Sequence, residues 1–271
     1  MFRKTAVVAT LLAGLIAAPA AAHRQWLHPS ATVLSGDKAW VTVDAAVSND
    51  LFYFEHMPLR LDNMKVWQPD GSEGKIQNAS TGRYRSVFDV ELNQQGTWKI
   101  GTGMSGIMGS YKLNGQEQRL PRGAAAADLA KLIPAGATDV RISENSSRNE
   151  TFVTVGAPTT TVLKPSGKGL EVEWLTHPND IVVGETVKLR FLADGKPAAG
   201  IDVEVVPGGV RYRDKLNDRA LKTDANGVLT LDFATPGMVW LEAQLQDNKP
   251  SVPGATQRRL VYITTLEVLA P

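Results

Sequence analysis

Between Leu170 and Leu269 the chain is cut into short apolar runs by turn dipeptides, a punctuation that commits this half to β-structure. Asp194-Gly195, Asn226-Gly227 and Pro236-Gly237 are turn pairs, supplying either positive φ or a fixed proline geometry. Between them lie Leu170-Glu-Val-Glu-Trp-Leu175, Glu185-Thr-Val-Lys-Leu-Arg-Phe-Leu192, Ile201-Asp-Val-Glu-Val-Val206 and Val228-Leu-Thr-Leu-Asp-Phe233. Met238-Val-Trp-Leu-Glu-Ala243 and Arg259–Leu269 complete the set. Alternation with a period of two, over segments too short for stable helices, predicts a small β-sandwich with no helix.

The first half reads the same way with less regularity. Ala31–Val47 alternates around a Gly36-Asp37 turn, and Leu51-Phe-Tyr-Phe-Glu-His-Met-Pro58 is an aromatic segment stopped by its proline. Met64–Trp67, Gly82–Leu92 and Gly96–Gly103 are further strands. Gly101–Gly109 holds four glycines with Met104 and Met108 and reads as a loop, with close approach of two backbones as the other option. Ala124–Ile133, ended by Pro134, is the one helical pattern. Asp139–Ser143 and Glu150–Gly156 return to strand, and Leu163–Gly169 reads as an inter-domain linker or crossing strand. The expectation is an all-β chain of two β-sandwich, immunoglobulin-like domains, 23–162 and 163–271, with at most one short helix near 124–133. Arg211-Tyr-Arg213 places two arginines on one face of a short strand, either a solvated edge or a seat for an anion.

The N-terminus carries a different signal. Arg3-Lys4 precede an uncharged apolar run, Pro19 interrupts it, and Ala20-Ala21-Ala22 supply the small residues of a cleavage site. That order predicts a secretory signal peptide over 1–22, hence a periplasmic protein whose mature chain begins at His23. The 271-residue chain then keeps 249 residues, enough to fill a substantial core. It needs that core, because with no cysteine there is no disulfide to support it and no thiolate to hold a metal. The whole chain has 29 Lys and Arg against 28 Asp and Glu, and losing Arg3 and Lys4 leaves 27 against 28. Such a neutral, mixed surface argues against nucleic acid as a partner. No second apolar run approaches a membrane-spanning length.

Several stretches carry a resemblance. The mature start His23-x-x-Trp-Leu-x-Pro29, Glu150-Thr-Phe-Val-Thr-Val-Gly-Ala-Pro158, Gly167-Lys-Gly-Leu-Glu171, His177-Pro-Asn-Asp180, Asp194-Gly-Lys-Pro-Ala-Ala-Gly200 and Thr223-Asp-Ala-Asn-Gly227 resemble the DUF4198 family of exported bacterial proteins. The likeness covers nearly the whole mature chain. It implies association with periplasmic nickel or cobalt uptake, an inner-membrane metal-uptake permease as partner, and the mature N-terminal histidine, here His23, as a ligand. His28 stands where the family often has an acidic or neutral residue, and His56 where it has turn residues. The second half also resembles the immunoglobulin-like modules of surface and carboxypeptidase-associated proteins.

The residues themselves support a metal reading. An N-terminal histidine offers its amine and a ring nitrogen to one cation, and an amine of pKa about 8 is displaced from its proton by a metal at neutral pH. Imidazole suits nickel, cobalt, copper and zinc. The candidate ligands are therefore His23, His56, His177 and His28. In extended chain His23 and His28, five apart, face opposite sides, and His28 shares a side with Trp26. His56 either completes a site with the terminus or sits at a sandwich rim, and His177 either serves its Pro-Asn-Asp turn or brings a ligand to the domain interface. Met57, Met64, Met104 and Met108 add thioethers, which favour Cu(I), though only Met104 and Met108 are close in sequence. A copper-binding protein, or a copper-dependent oxidative enzyme built on the terminal histidine, is one alternative. A non-enzymatic structural or protein-binding β-sandwich module is the other. No nucleophile elbow, zincin, Walker or dinucleotide motif is present, so no catalytic residue is assigned and no enzyme is expected.

Overall fold

The computed structural model describes residues 23–271, and the expected signal peptide at 1–22 lies outside them. The strands in chain order are β1 (Arg24–Pro29), β2 (Val33–Leu34), β3 (Ala39–Ser48), β4 (Met57–Pro58), β5 (Met64–Trp67), β6 (Gln77–Thr81), β7 (Ser86–Leu92), β8 (Gly96–Leu113) and β9 (Gln116–Arg119). They continue as β10 (Thr138–Val155), β11 (Leu170–Trp174), β12 (Val187–Ala193), β13 (Lys196–Pro197), β14 (Asp202–Pro207), β15 (Arg219–Lys222), β16 (Val228–Leu231), β17 (Gly237–Asp247) and β18 (Gln257–Val268). The fold is all-β. Helix is confined to one α-turn, α1 (Leu129–Leu132), and three 3-10 turns among the described residues.

Three sheets build the molecule. The first runs β1-β3-β7-β6 with β4 beside β3; the second, of nine strands, runs β15-β14-β17-β18-β10-β8-β5 with β2 and β9 on its margins; the third is β11-β12-β13 with β16. Alternate residues of β3 and β7, including Val41, Val43, Phe88 and Val90, pack against Trp98 and Val153 of the nine-stranded sheet. At the other end, Leu189, Phe191 and Leu231 of the third sheet pack against Val205, Leu241 and Tyr262 of the same long sheet. Each end is thus a two-layer sandwich with its own core, and the long sheet supplies one layer to both. Strand alternation, a residue in and a residue out, is what lets one sheet serve both.

The two cores fall on either side of the expected boundary near 162, but the backbone ladder does not stop there. Ser143–Thr151 of β10 pair in parallel with Gln257–Thr265 of β18, joining the halves more than a hundred residues apart. A parallel pair between distant segments leaves no local mark in a sequence. Asp139–Ser143 and Glu150–Gly156, expected as two strands, fall as far as Val155 in the single strand β10 because its middle, Glu144–Asn149, is held on both sides by β8 and β18. Within the short helix expected over 124–133, Ala126–Asp128 form a 3-10 turn and Leu129–Leu132 the α-turn α1.

The largest correction concerns Gly101–Gly109, which is not a loop but the middle of β8, paired residue for residue with β10. The glycines are there for space. A Cβ on Gly106 would sit 2.9 Å from the carbonyl oxygen of Ala124, one on Gly101 2.9 Å from that of Asn149, and one on Gly109 would overlap that of Arg141. Gly109→Ala is therefore expected to cost about 1–3 kcal/mol by forcing the β8–β10 ladder apart, read as a lowered urea midpoint at unchanged m-value.

The motifs behind the family resemblance turn out to be knots. Asp194 and Gly195 both take positive φ (49° and 75°), the geometry of a type I′ hairpin turn. Thr223 Oγ1 donates to the Ala198 carbonyl at 2.6 Å and accepts from the Ile201 amide at 3.1 Å, tying the Thr223–Gly227 turn to the Asp194–Gly200 hairpin. Asn179 Nδ2 donates to the Phe152 carbonyl at 2.9 Å, and its Oδ1 accepts from Thr154 Oγ1 at 2.8 Å, fastening the 177–180 turn to β10. Arg211-Tyr-Arg213 is not a strand. Val210–Tyr212 form a 3-10 turn, Arg211 lies over Tyr53 at 5.0 Å, and Arg213 donates to the carbonyls of Pro207, Gly208, Lys215 and Leu216.

Candidate functional site

The start of β1 is anchored on three sides. Trp26, fully buried, donates from Nε1 to Ser48 Oγ at 2.8 Å, and Trp240 Nε1 donates to the Gln25 carbonyl at 3.0 Å. Arg24 pairs with Glu204 at 2.7 Å and donates to the Asn49 carbonyl at 3.2 Å. The loop after β3 is closed by Glu55, whose Oε1 accepts from the amides of Asn49 (2.7 Å) and Asp50 (2.9 Å). Glu55 is thereby a clasp for the loop. That clasp delivers His56 to the beginning of β1, where its ring stacks on His23 with centroids 3.9 Å apart and planes inclined by 12°. Both rings are exposed.

Of the four histidines read from the sequence, the structure brings these two together and leaves the others elsewhere. His28 faces the other way, as its odd separation from His23 requires. Its ring sits edge-on to Phe52 at 4.7 Å and Trp26 at 6.4 Å, lining a separate cavity of about 860 Å³. Burial pushes its pKa below the ordinary 6.5 against the opposing pull of Asp44, so it is neutral at pH 7. His177 does reach the first half of the chain, but as a tie. Its Nδ1 accepts from the Asn179 amide at 3.2 Å, which puts the proton on Nε2, and Nε2 donates to Thr97 Oγ1 (3.0 Å) and the Thr159 carbonyl (3.2 Å). Thr97 and Met104 are seven residues apart on β8, about 23 Å at strand rise, and Met104 lines the same hollows as His23. His177 and His23 therefore cannot share an ion. Burial lowers the pKa of His177 as well.

His23 overlooks two adjoining hollows of about 570 and 360 Å³, lying between the first sheet and the β8–β10 face of the second. Cross-strand register aligns Gln25, Val47 and Met57 in a row below it. From the facing sheet come Met104 and its partner Ser147, then Thr102 and its partner Asn149. Among the described residues three methionines are exposed, Met104 by 64 %, Met108 by 60 % and Met57 by 48 %, and all three line these hollows. The sequence showed Met104 near Met108; that Met57 joins them comes from β4 lying beside β3. Asn149 was missed. It is 1 % exposed and neither its Nδ2 nor its Oδ1 has a protein partner. Its signal was the polar run Ser143–Asn149 in the middle of a strand, where apolar residues are the norm. In the smaller hollow burial pushes the Glu242 carboxyl up, with Gln244 Nε2 donating to it.

The donor set can be tested against a transition-metal ion. A ring nitrogen binds a metal in the plane of its ring, and two rings stacked nearly parallel present planes that do not converge on one ion. As arranged, an ion is held by one imidazole at a time, and His56 joins His23 only by turning about its side-chain bonds. Among the described residues no group of three His, Cys, Asp or Glu side chains is placed to hold a metal. What the geometry offers is the His23 ring with the His56 ring stacked on it, and thioethers lining the hollows beside them.

The fold and this face define an all-β protein of two sandwiches on a shared sheet, with a histidine- and methionine-rimmed hollow where the described chain begins. A family model described as Domain of unknown function (DUF4198) matches residues 20–247, and the chain belongs to that family. No curated protein matches it. Among solved structures it is similar to the D0-D1 domain of Intimin (14% identity over 90% of this chain and 97% of that one, TM-score 0.23). It is also similar to a DUF4785 family protein from Legionella pneumophila (8% identity, 80% and 50%, TM-score 0.24) and to the Bacillus anthracis TIE protein (10% identity, 91% and 39%, TM-score 0.16). Overlaps this loose carry no argument about function. No helix among the described residues is long and apolar enough to cross a membrane.

Proposed function

We propose that the protein is a periplasmic binding protein that takes up a transition-metal ion through a mature N-terminus at His23 and presents it to an inner-membrane uptake permease. The observation that carries this reading is the delivery of His56 onto His23 by the Glu55-clasped loop. A terminal amine and imidazole form a chelate within one residue, so no rigid cage is needed, and a second imidazole beside it adds a ligand by ring rotation. Nickel and cobalt are the ions favoured, by family resemblance and by their acceptance of nitrogen donors.

The test is a calorimetric titration with nickel, cobalt, copper and zinc of protein beginning at His23, beside a form carrying one extra residue before it. The extra residue turns the amine into an amide, and affinity for nickel is expected to fall by about 100-fold or more. His56→Ala is expected to weaken binding by less. Equal affinities for the two forms would remove the terminal chelate. A second reading, a non-enzymatic structural or protein-binding module, is favoured by the lack of a three-carboxylate-or-imidazole group among the described residues. Absence of heat with every ion would leave that reading standing.

A further inference from the structure

We propose that the larger hollow beside His23 is a site for monovalent copper, held by the thioethers of Met104 and Met57 together with the His23 imidazole. This rests on the preceding reading only in placing a metal at His23, since it needs neither the terminal amine nor His56. Methionine is a core residue, and hiding its side chain from water is favourable. Of the five methionines among the described residues, Met64 and Met238 are half-buried while Met57 and Met104 stand exposed on the larger hollow and Met108 on the smaller one beside it. Two apolar thioethers left in water on one hollow, next to an imidazole, are unexplained by packing. They are explained by a soft cation, because thioether sulfur binds Cu(I) well and hard divalent ions poorly.

The surroundings point the same way. The larger hollow is lined by a single carboxylate, Asp62, which pairs through Oδ2 with Arg60 at 2.9 Å, too few anionic oxygens for calcium or magnesium, which take about six or more oxygen ligands. Met104 belongs to both hollows with His23, and Met57 to the larger one, where strand pairing with Val47 fixes its place. Met108 is four residues from Met104 along β8, about 13 Å, which puts it outside the same coordination sphere and at the neighbouring rim. Asn149, buried without a protein partner, floors the larger hollow with a neutral amide. A polar floor left unsatisfied by side chains marks a space that holds something other than protein.

The experiment is an anaerobic competition for Cu(I) against bicinchoninate, read from the colour of the chelator complex. The wild type is expected to withdraw one equivalent. Met57→Leu/Met104→Leu, which keeps volume and hydrophobicity, is expected to lose affinity by about 100-fold or more, with Met64→Leu as an unaffected control. Matching thermal melts confirm that the double variant is folded. Nickel titration of the same double variant is expected to be unchanged, and the form extended before His23 is expected to keep Cu(I). Retention of Cu(I) by the double variant, or no uptake by the wild type, overturns the thioether site whatever nickel does; loss of nickel binding alone leaves it intact.

Discussion

Trp26→Ala is expected to remove about 3–5 kcal/mol of stability, lowering the melting temperature by on the order of 10 °C. Trp26 is fully buried in a cluster with Ala46, Leu51, Val206, Trp240 and Ile263, a cluster that belongs to neither sandwich core but lies between the first sheet and the shared one. Its ring also backs Phe52 and Phe54, each with its centroid 5.4 Å away, so it is the shelf on which the loop leading to His56 rests. Truncation therefore opens a cavity and releases the loop together. Trp26→Phe separates the two effects: it keeps most of the apolar volume and loses the bond to Ser48, expected to cost about 1 kcal/mol. Guanidinium unfolding measures both variants. Metal affinity of the alanine variant, taken where it is still folded, is expected to fall, because His56 is no longer held beside His23.

How much of this was legible in the sequence varies with how local the cause is. Turns are local: Asp194-Gly195 needs two positive φ values in succession and those residues adopt them readily, so the hairpin could be read directly. Asn226-Gly227 is fixed by the Asp224 carboxylate, which accepts from the amides of Asn226 and Val228 at 2.8 Å each. Strand alternation is nearly as local: the alternating runs read over Ala31–Val47 and Glu185–Leu192 carry Val41, Val43, Leu189 and Phe191, which the structure buries in the two cores. The failures are where one segment answers to another far away. Glycines in β8 mimic a flexible loop, and only the carbonyls of Ala124, Arg141 and Asn149 pressing on them show that they are strand.

The site divides in the same way. The opposite facing of His23 and His28 is a property of one strand and was legible. The meeting of His23 with His56 depends on a clasp by Glu55 and could be posed only as one of two options. His177 could be a ligand or a turn residue because histidine in a polar turn is chemically available; Asn179 of the same turn takes its Nδ1, and Thr97 and Thr159, from elsewhere in the chain, take its Nε2. The family motifs of the second half were no guide to the chemistry for a physical reason. Thr223, Asn179 and the Asp194-Gly195 pair are needed wherever this backbone is built, whatever the hollow near His23 contains.

Glu171→Ala is the second change expected to cost about 3–5 kcal/mol, and it changes the response to acid. The stretch Leu163–Gly169, which reads as a linker, is pinned by the Glu171 carboxylate. One oxygen accepts from the Ser166 amide (2.8 Å) and hydroxyl (2.7 Å), the other from the amides of Gly167 (2.7 Å) and Lys168 (3.1 Å), and Arg148 of β10 pairs with it at 3.1 Å. Burial alone would raise the pKa, but the Ser166 and Lys168 bonds and the Arg148 charge outweigh it and hold the carboxyl below its ordinary 4.5. A carboxylate depressed in the folded state contributes stability that is complete above its unfolded pKa and is lost as pH falls through the folded one. Glu171→Gln removes that titration while keeping the shape. Its stability deficit against the wild type is expected to be constant from pH 7 down to about pH 5 and to narrow below pH 4.5. Urea midpoints of the two proteins across pH 3 to 7 measure this; other depressed carboxylates, such as Asp194 and Asp247, are common to both and cancel in the difference. A deficit that stays the same width in acid would mean that Arg148 and the three amides do not favour the charged form, and the 163–169 segment would then be held by Val162 and Leu163 packing on Phe152 rather than by Glu171.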